Sequence, residues 1–190
     1  MKRIHSLKDI PVKEWSLFLD RDGVINVRPD GDYVKKPEEF FFIEGVPQAI
    51  ATLNQHFKHT FVVTNQQGIG RGVMNSQNLG KIHKKMTGDL LKNDAHIDRV
   101  FYCPDLASSN SLFRKPNSGM ALQARKEFRD VNFKRSVMVG DAISDMLFGK
   151  KVGMTTVFIS NNTSELKKYH FLIDFVFPSL PEFAKIIRTA

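Results

Sequence analysis

Residues 16–26 read SLFLDRDGVIN, and the fold turns on how this stretch is understood. An apolar run ends in Asp20, Asp22 follows two positions later, and Gly23 comes next. The run lacks polar alternation, which suits a strand buried on both faces. Such a strand would deliver two carboxylates to one spot. Like charges that close repel, so one must change its protonation or both must share a cation. A surface turn around Gly23 would place the same letters without any chemistry, and the rest of the chain decides between the two.

Working outward, WSLFL (15–19) is followed by five more apolar runs: TFVVT (60–64), RVFYC (99–103), SVMVG (136–140), TTVFI (155–159) and FLIDFVF (171–177). Helical patterns fall between them. Val46, Ile50, Leu53 and Phe57 make one apolar stripe, and Leu79, Ile82, Met86 and Leu90 make another. A third helix is expected from about Asn117 or Ser118 through Ala121, Ala124 and Phe128, and a fourth from Ile143 to Lys150. Strands alternating with helices predict an α/β fold, a doubly wound parallel sheet in a single domain over residues 15–190. Residues 1–14 read as an N-terminal extension.

Three of these strands end in polar signatures: DRDG, TNQQG and GDAISD. In open α/β sheets, ligands sit beyond the carboxyl ends of the strands. Asp20, Asp22, Thr64, Asn65, Asp141 and Asp145 are therefore expected to converge, although they are far apart in sequence. Four aspartates at one edge call for a divalent cation. Carboxylates, a backbone carbonyl and water are hard oxygen ligands that suit Mg²⁺. A carboxylate can attack phosphorus, a second can donate and later accept a proton, and Lys115 adds a fixed positive charge. Positioning and charge neutralisation are what phosphoryl transfer chiefly needs.

With DRDGV, VVTN, RKP and VGDAISD in this order and spacing, the chain resembles the haloacid dehalogenase-like (HAD) phosphatases over roughly residues 15–160. The resemblance implies that Asp20 is the nucleophile that forms an aspartyl phosphate and that Asp22 is the general acid/base. It implies that Thr64 binds the transferring phosphoryl group and that Lys115 bridges nucleophile and phosphate. It makes Asp20, the Asp22 carbonyl, Asp141 and Asp145 the Mg²⁺ site. FLDRDGVIN, YVKKPEEFFFIEGV, VVTNQQGIGRG and FRKPNSGM look like the heptose 1,7-bisphosphate and histidinol phosphatase subfamily, and lean to the heptose enzymes. Many members carry a zinc loop of Cys and His before the lysine motif. Here that region is YCPDLASSNSLFRKP, with Cys103 alone, so a four-ligand zinc site cannot be built. The gaps between the motifs hold no separate cap, which argues against the sugar-phosphate mutases. An open site is expected, shaped by the loops at 27–37, 66–72 and 104–114. Asn65, Arg71 and Arg114 are candidate substrate-binding residues, Arg114 as a fork for a second phosphate.

The formal net charge is +8, with basic residues scattered and no long basic block. A small phosphorylated substrate, a sugar bisphosphate, is expected as the partner rather than nucleic acid or a membrane. No apolar run reaches the roughly 20 residues that span a bilayer. The N-terminus lacks an apolar signal region and Cys103 is the only cysteine, so a cytoplasmic location is expected. A monomer is expected as well. The six histidines show no ligand spacing and are read as surface or packing residues. The expected activity is Mg²⁺-dependent removal of the C7 phosphate of D-glycero-D-manno-heptose 1,7-bisphosphate. The alternatives are a histidinol-phosphate phosphatase, a polynucleotide 3′-phosphatase and a catalytically silent binding module.

Overall fold

The computed structural model describes residues 7, 10, 11, 13–160 and 163–188. Strands β1 (Ser16–Leu19), β2 (His59–Asn65), β3 (Arg99–Cys103), β4 (Ser136–Gly140), β5 (Thr155–Ile159) and β6 (Phe175–Phe177) form one sheet. Its order is β3-β2-β1-β4-β5-β6, and every pairing is parallel. The chain runs outward from β1 to β3, then returns to the other side of β1 to lay down β4. That reversal opens a crevice between β1 and β4 at their carboxyl ends.

The central strands are apolar throughout because both of their faces are covered. Alternate side chains feed two cores. Leu17, Leu19, Val62, Val137 and Val139 pack on one face with α1 (Val46–His56), α2 (Ser76–Leu91) and α6 (Leu180–Arg188). Phe18, Phe61, Val63 and Met138 pack on the other with α3 (Gly119–Glu127) and α4 (Ile143–Val152). The two helical stripes anticipated from spacing are the buried faces of α1 and α2, with Phe57 capping α1.

Two features differ from the expectation. The last apolar run divides: His170–Leu172 is a 3₁₀ turn, and the strand is only Phe175–Phe177. An edge strand pairs on one side only, so fewer ladder bonds hold its start. Two helices not expected from the sequence flank it, α5 (Thr163–Tyr169) before and α6 after. In α6, Leu180, Phe183, Ala184 and Ile187 are buried against the α1 side of the core. Of the segment before Trp15, Leu7 and Ile10 are buried in that same core. Among the described residues, the stretch between β1 and α1 is irregular, with one 3₁₀ turn at Pro37–Glu39, and forms no separate layer.

Candidate active site

Register sets the site. Leu19 pairs with Val62 of β2 and with Val139 of β4. Asp20, one residue on, therefore stands level with Gly140, the last residue of β4, and with Val63, two residues before the end of β2, and its amide donates to Val139 O at 2.9 Å. The chain then turns sharply, with the amides of Ile25 and Asn26 both donating to Arg21 O. Gly23 makes that turn with φ +91°, and a Cβ there would stand 2.0 Å from Asp141 Oδ2. Glycine is required both by the left-handed backbone and by the approach of the carboxylate.

Lys115 is 3% exposed and reaches across the strand ends. Its Nζ donates to Asp20 Oδ1 at 2.8 Å and to Val63 O at 2.7 Å, and lies 2.7 Å from Asp145 Oδ1 in an ion-pair contact. Burial alone would lower the pKa of this ammonium, but Asp145 and Asp20 hold it above its ordinary value. Asp145 is fixed in the first turn of α4, where its Oδ2 accepts from the Ala142 amide at 3.1 Å, a capping contact at the helix start. Asn65 braces Lys115 from the β2 side: its amide group exchanges two 3.0 Å hydrogen bonds with the Lys115 backbone.

Asp20, Asp141 and Asp145 present carboxylate oxygens within 4.8 Å of one another. Burial, together with Asp145 and Asp141, raises Asp20 to about 7 against the pull of Lys115. Burial likewise raises Asp141 to about 6, with Asp145 adding to it and Arg28 opposing. Arg28 Nη2 sits 2.8 Å from Asp22 O and 3.1 Å from Asp141 Oδ1. Positive charge is thus already drawn to this group of oxygens, and an all-oxygen set of this kind fits a hard divalent cation.

Asp22 is held differently. Its Oδ1 accepts from Arg21 Nη2 at 2.9 Å, Arg21 Nε at 3.3 Å and Asn26 Nδ2 at 3.0 Å. Its Oδ2 accepts from Gln66 Nε2 at 2.8 Å, and Gln66 also donates to Thr64 Oγ1 at 2.9 Å. Burial would raise this carboxyl, but the Arg21 charge and these hydrogen bonds hold it below its usual value.

A pocket of about 420 Å³ opens above, lined among others by Asp20, Asp22, Arg28, Tyr33, Thr64, Arg114 and Lys115. Arg114 is anchored by an Nη1 hydrogen bond to Asp105 O at 3.1 Å. Arg71 does not line the pocket; its guanidinium lies over the ring of Tyr33, 5.8 Å from the centroid. Arg21, Arg28, Asn26 and Gln66 escaped the sequence reading. Gln66 and Arg21 sit inside quoted motifs and had only proximity to announce them. His83, expected at the surface or in packing, has its Nε2 3.2 Å from Arg21 Nη1. The spacing of Leu79, His83, Met86 and Leu90 along α2 was the available signal.

A family model for HAD-hydrolase-like proteins matches residues 112–183. The D-glycero-α-D-manno-heptose-1,7-bisphosphate 7-phosphatase of Campylobacter jejuni is 37% identical over 79% of this chain and 84% of that protein. The D-glycero-β-D-manno-heptose-1,7-bisphosphate 7-phosphatase of Haemophilus influenzae is 32% identical over 91% of this chain and 96% of that one. A solved D,D-heptose 1,7-bisphosphate phosphatase from B. bronchiseptica, complexed with magnesium and phosphate, superposes with a TM-score of 0.83. It is 30% identical and covers 93% of this chain and 99% of that one. The fold, the convergence of the four motifs at one sheet edge and these likenesses agree, and the chain belongs to the HAD-like phosphatases, alongside the heptose-1,7-bisphosphate 7-phosphatases.

Proposed function

We propose that this phosphatase removes the C7 phosphate of D-glycero-D-manno-heptose 1,7-bisphosphate, with Mg²⁺ as its cation. The relatives' named activity supports the substrate. The observation that carries the chemistry is the division of labour between two aspartates two residues apart. Asp20 is tied to Lys115, and Asp22 is tied to Arg21, Asn26 and Gln66.

Asp20 Oδ2 attacks phosphorus, forming an O–P bond as the bond from phosphorus to the sugar oxygen breaks. Asp22 is held as a carboxylate before substrate binds; the negative charge of the incoming phosphate raises it, so that it takes up a proton and gives that proton to the departing oxygen, and the sugar leaves as an alcohol. Water then attacks the phosphorus of the aspartyl phosphate, Asp22 takes a proton from it, and inorganic phosphate leaves with Asp20 restored. Lys115 holds Asp20 in line and offsets its charge. Thr64 Oγ1 donates to a phosphoryl oxygen. The Asp20 and Asp141 carboxylates and the Asp22 carbonyl would hold Mg²⁺, with Asp145 behind them, and the ion would neutralise charge on the phosphoryl group. Arg114, on the pocket wall, receives the remote phosphate.

Phosphate release measured across the α and β heptose bisphosphates, histidinol phosphate and 3′-phosphorylated DNA tests this reading. The expected result is turnover of a heptose bisphosphate, lost by several orders of magnitude in Asp20→Asn, whose shape is unchanged but whose attacking charge is gone. Preference for histidinol phosphate or a DNA end would overturn the substrate. Near-normal turnover by a folded Asp20→Asn would overturn the covalent route.

A further inference from the structure

Arg21 is the largest fully buried side chain in the described structure, with 1% of its surface exposed. A guanidinium has five N–H donors and no acceptor. Two of those donors, on Nε and Nη2, go to Asp22 Oδ1. Nη1 points the other way, 3.2 Å from His83 Nε2. Since arginine can only donate, His83 must supply a lone pair there. The ring is therefore neutral and carries its proton on Nδ1. Burial and the adjacent Arg21 charge both act in that direction, moving the imidazole down to about 3.

His83 stands on a rigid support. Leu79, Ile82, Met86 and Leu90 of the same helix are fully or almost fully buried. The ring also meets the edge of Tyr102, with centroids 5.8 Å apart. A continuous line of contacts thus runs from α2 through His83 and Arg21 to Asp22. Its effect on Asp22 is asymmetric. Oδ1 is occupied by three donors, whereas Oδ2 faces only Gln66, on the side of Thr64. A proton can add only to the less occupied oxygen.

We propose that His83 is a positioning residue for the reaction, acting through Arg21 to pin Asp22 Oδ1 and so reserve Oδ2 as the oxygen that delivers the proton to the leaving group. The inference rests on Asp22 being the general acid. Without the His83 lone pair, Nη1 is a buried donor with no partner, and the guanidinium shifts to find one. The fork on Oδ1 then loosens, and the carboxyl is free to present either oxygen.

Leaving-group dependence separates this from a structural role. An alkoxide needs a proton to depart and nitrophenolate does not, and kcat/KM reports the steps up to that departure. The experiment compares a primary sugar phosphate, phenyl phosphate and p-nitrophenyl phosphate. For His83→Leu, kcat/KM is expected to fall about 10–100-fold on the sugar phosphate, the scale of a misplaced catalytic group. The fall should be intermediate on phenyl phosphate and under about threefold on p-nitrophenyl phosphate. His83→Gln, whose amide oxygen can accept from Nη1, should restore most of the loss. Arg21→Lys, which retains charge without the fork, should reproduce the selective defect and serves if His83→Leu does not fold. Equal losses on all three substrates, or no loss, or no rescue by glutamine, would overturn the role of His83. Asp22→Asn is the control: a selective loss there with none in His83→Leu overturns only the relay, whereas equal losses in Asp22→Asn overturn the general acid and the relay with it.

Discussion

Among the described residues, two cations attend the group formed by Asp20, Asp141 and Asp145, and they differ in kind. Lys115 has 2% of its side chain exposed and is fixed by three acceptors; Arg28 has 48% exposed and touches Asp141 and the Asp22 carbonyl from outside. Lys115 is permanent structure, whereas Arg28 competes with whatever cation arrives. Replacing it by alanine leaves those oxygens without their counter-charge. Titration calorimetry on Arg28→Ala should show Mg²⁺ bound about two- to fivefold more tightly, the size expected of an ion pair this exposed. The metal-free variant should also melt at a lower temperature.

Protons compete at the same oxygens. Asp20 and Asp141 are raised to about 7 and about 6, with burial as the largest cause in both. A raised carboxyl binds more protons folded than unfolded. Its contribution to stability is complete below the ordinary carboxylate range and is lost as pH rises through 6 to 7. The metal-free protein should therefore lose stability across that window, and Mg²⁺ should restore it. In thermal melts, the shift caused by Mg²⁺ should grow as pH rises from 5.5 to 8. A shift that is flat with pH would remove these two carboxylates from the cation site.

At the scale of elements, α6 is the part whose loss would be felt furthest. Phe183 is fully buried on the α1 face and meets Phe177 of β6 with ring centroids 5.6 Å apart. Phe183→Ala should cost about 3–5 kcal/mol of stability, as for other large-to-small core changes. A urea midpoint reads this directly. The site lies at the strand ends served by β1, β2 and β4, so catalysis by the folded fraction should change little. Gly140, at the end of β4, is the converse case. A Cβ there would stand 2.3 Å from the Asp145 Cβ. Gly140→Ala should therefore displace Asp145 and depress turnover more than it depresses the melting temperature.

These elements also show what a linear reading can reach. The strands β1, β2 and β4 are legible because a strand buried on both faces has to be apolar, and the aspartates that follow β1 and β4 stand out against that background. Thr64 was legible as a strand-end residue and Lys115 as a fixed charge, but the roles expected of them came only from a family resemblance, since nothing about a lone hydroxyl or ammonium announces its neighbours. α6 has clear helical periodicity at Leu180, Phe183, Ala184 and Ile187, but it is short and follows a longer apolar run that dominates the local pattern. Arg28 and His83 were beyond reach for a different reason. Their partners, Asp141 and Arg21, are separated from them by 113 and 62 positions, and only the folded sheet brings each pair together.

Taken as a whole, the molecule carries a net charge of +8 and gathers Arg28, Arg114 and Lys115 around one pocket. Arg114→Ala should reduce kcat/KM on a bisphosphate by about 10–100-fold, the loss expected of a charge-assisted contact, and change p-nitrophenyl phosphate much less. Equal effects on the two would place Arg114 with the chemistry instead of with recognition.

Cys103 ends β3, the edge strand next to β2, and is fully buried beneath the loop that leads to Lys115. Burial raises its thiol above the ordinary range, so it reacts slowly where it stands. As the only thiol in the chain, it makes the protein its own stopwatch. A thiol-reactive dye added to the native enzyme can register only those moments when that edge comes open. The dye's rate, followed with and without Mg²⁺ and inorganic phosphate, would time the breathing of the sheet beside the site, with no label introduced and no residue changed.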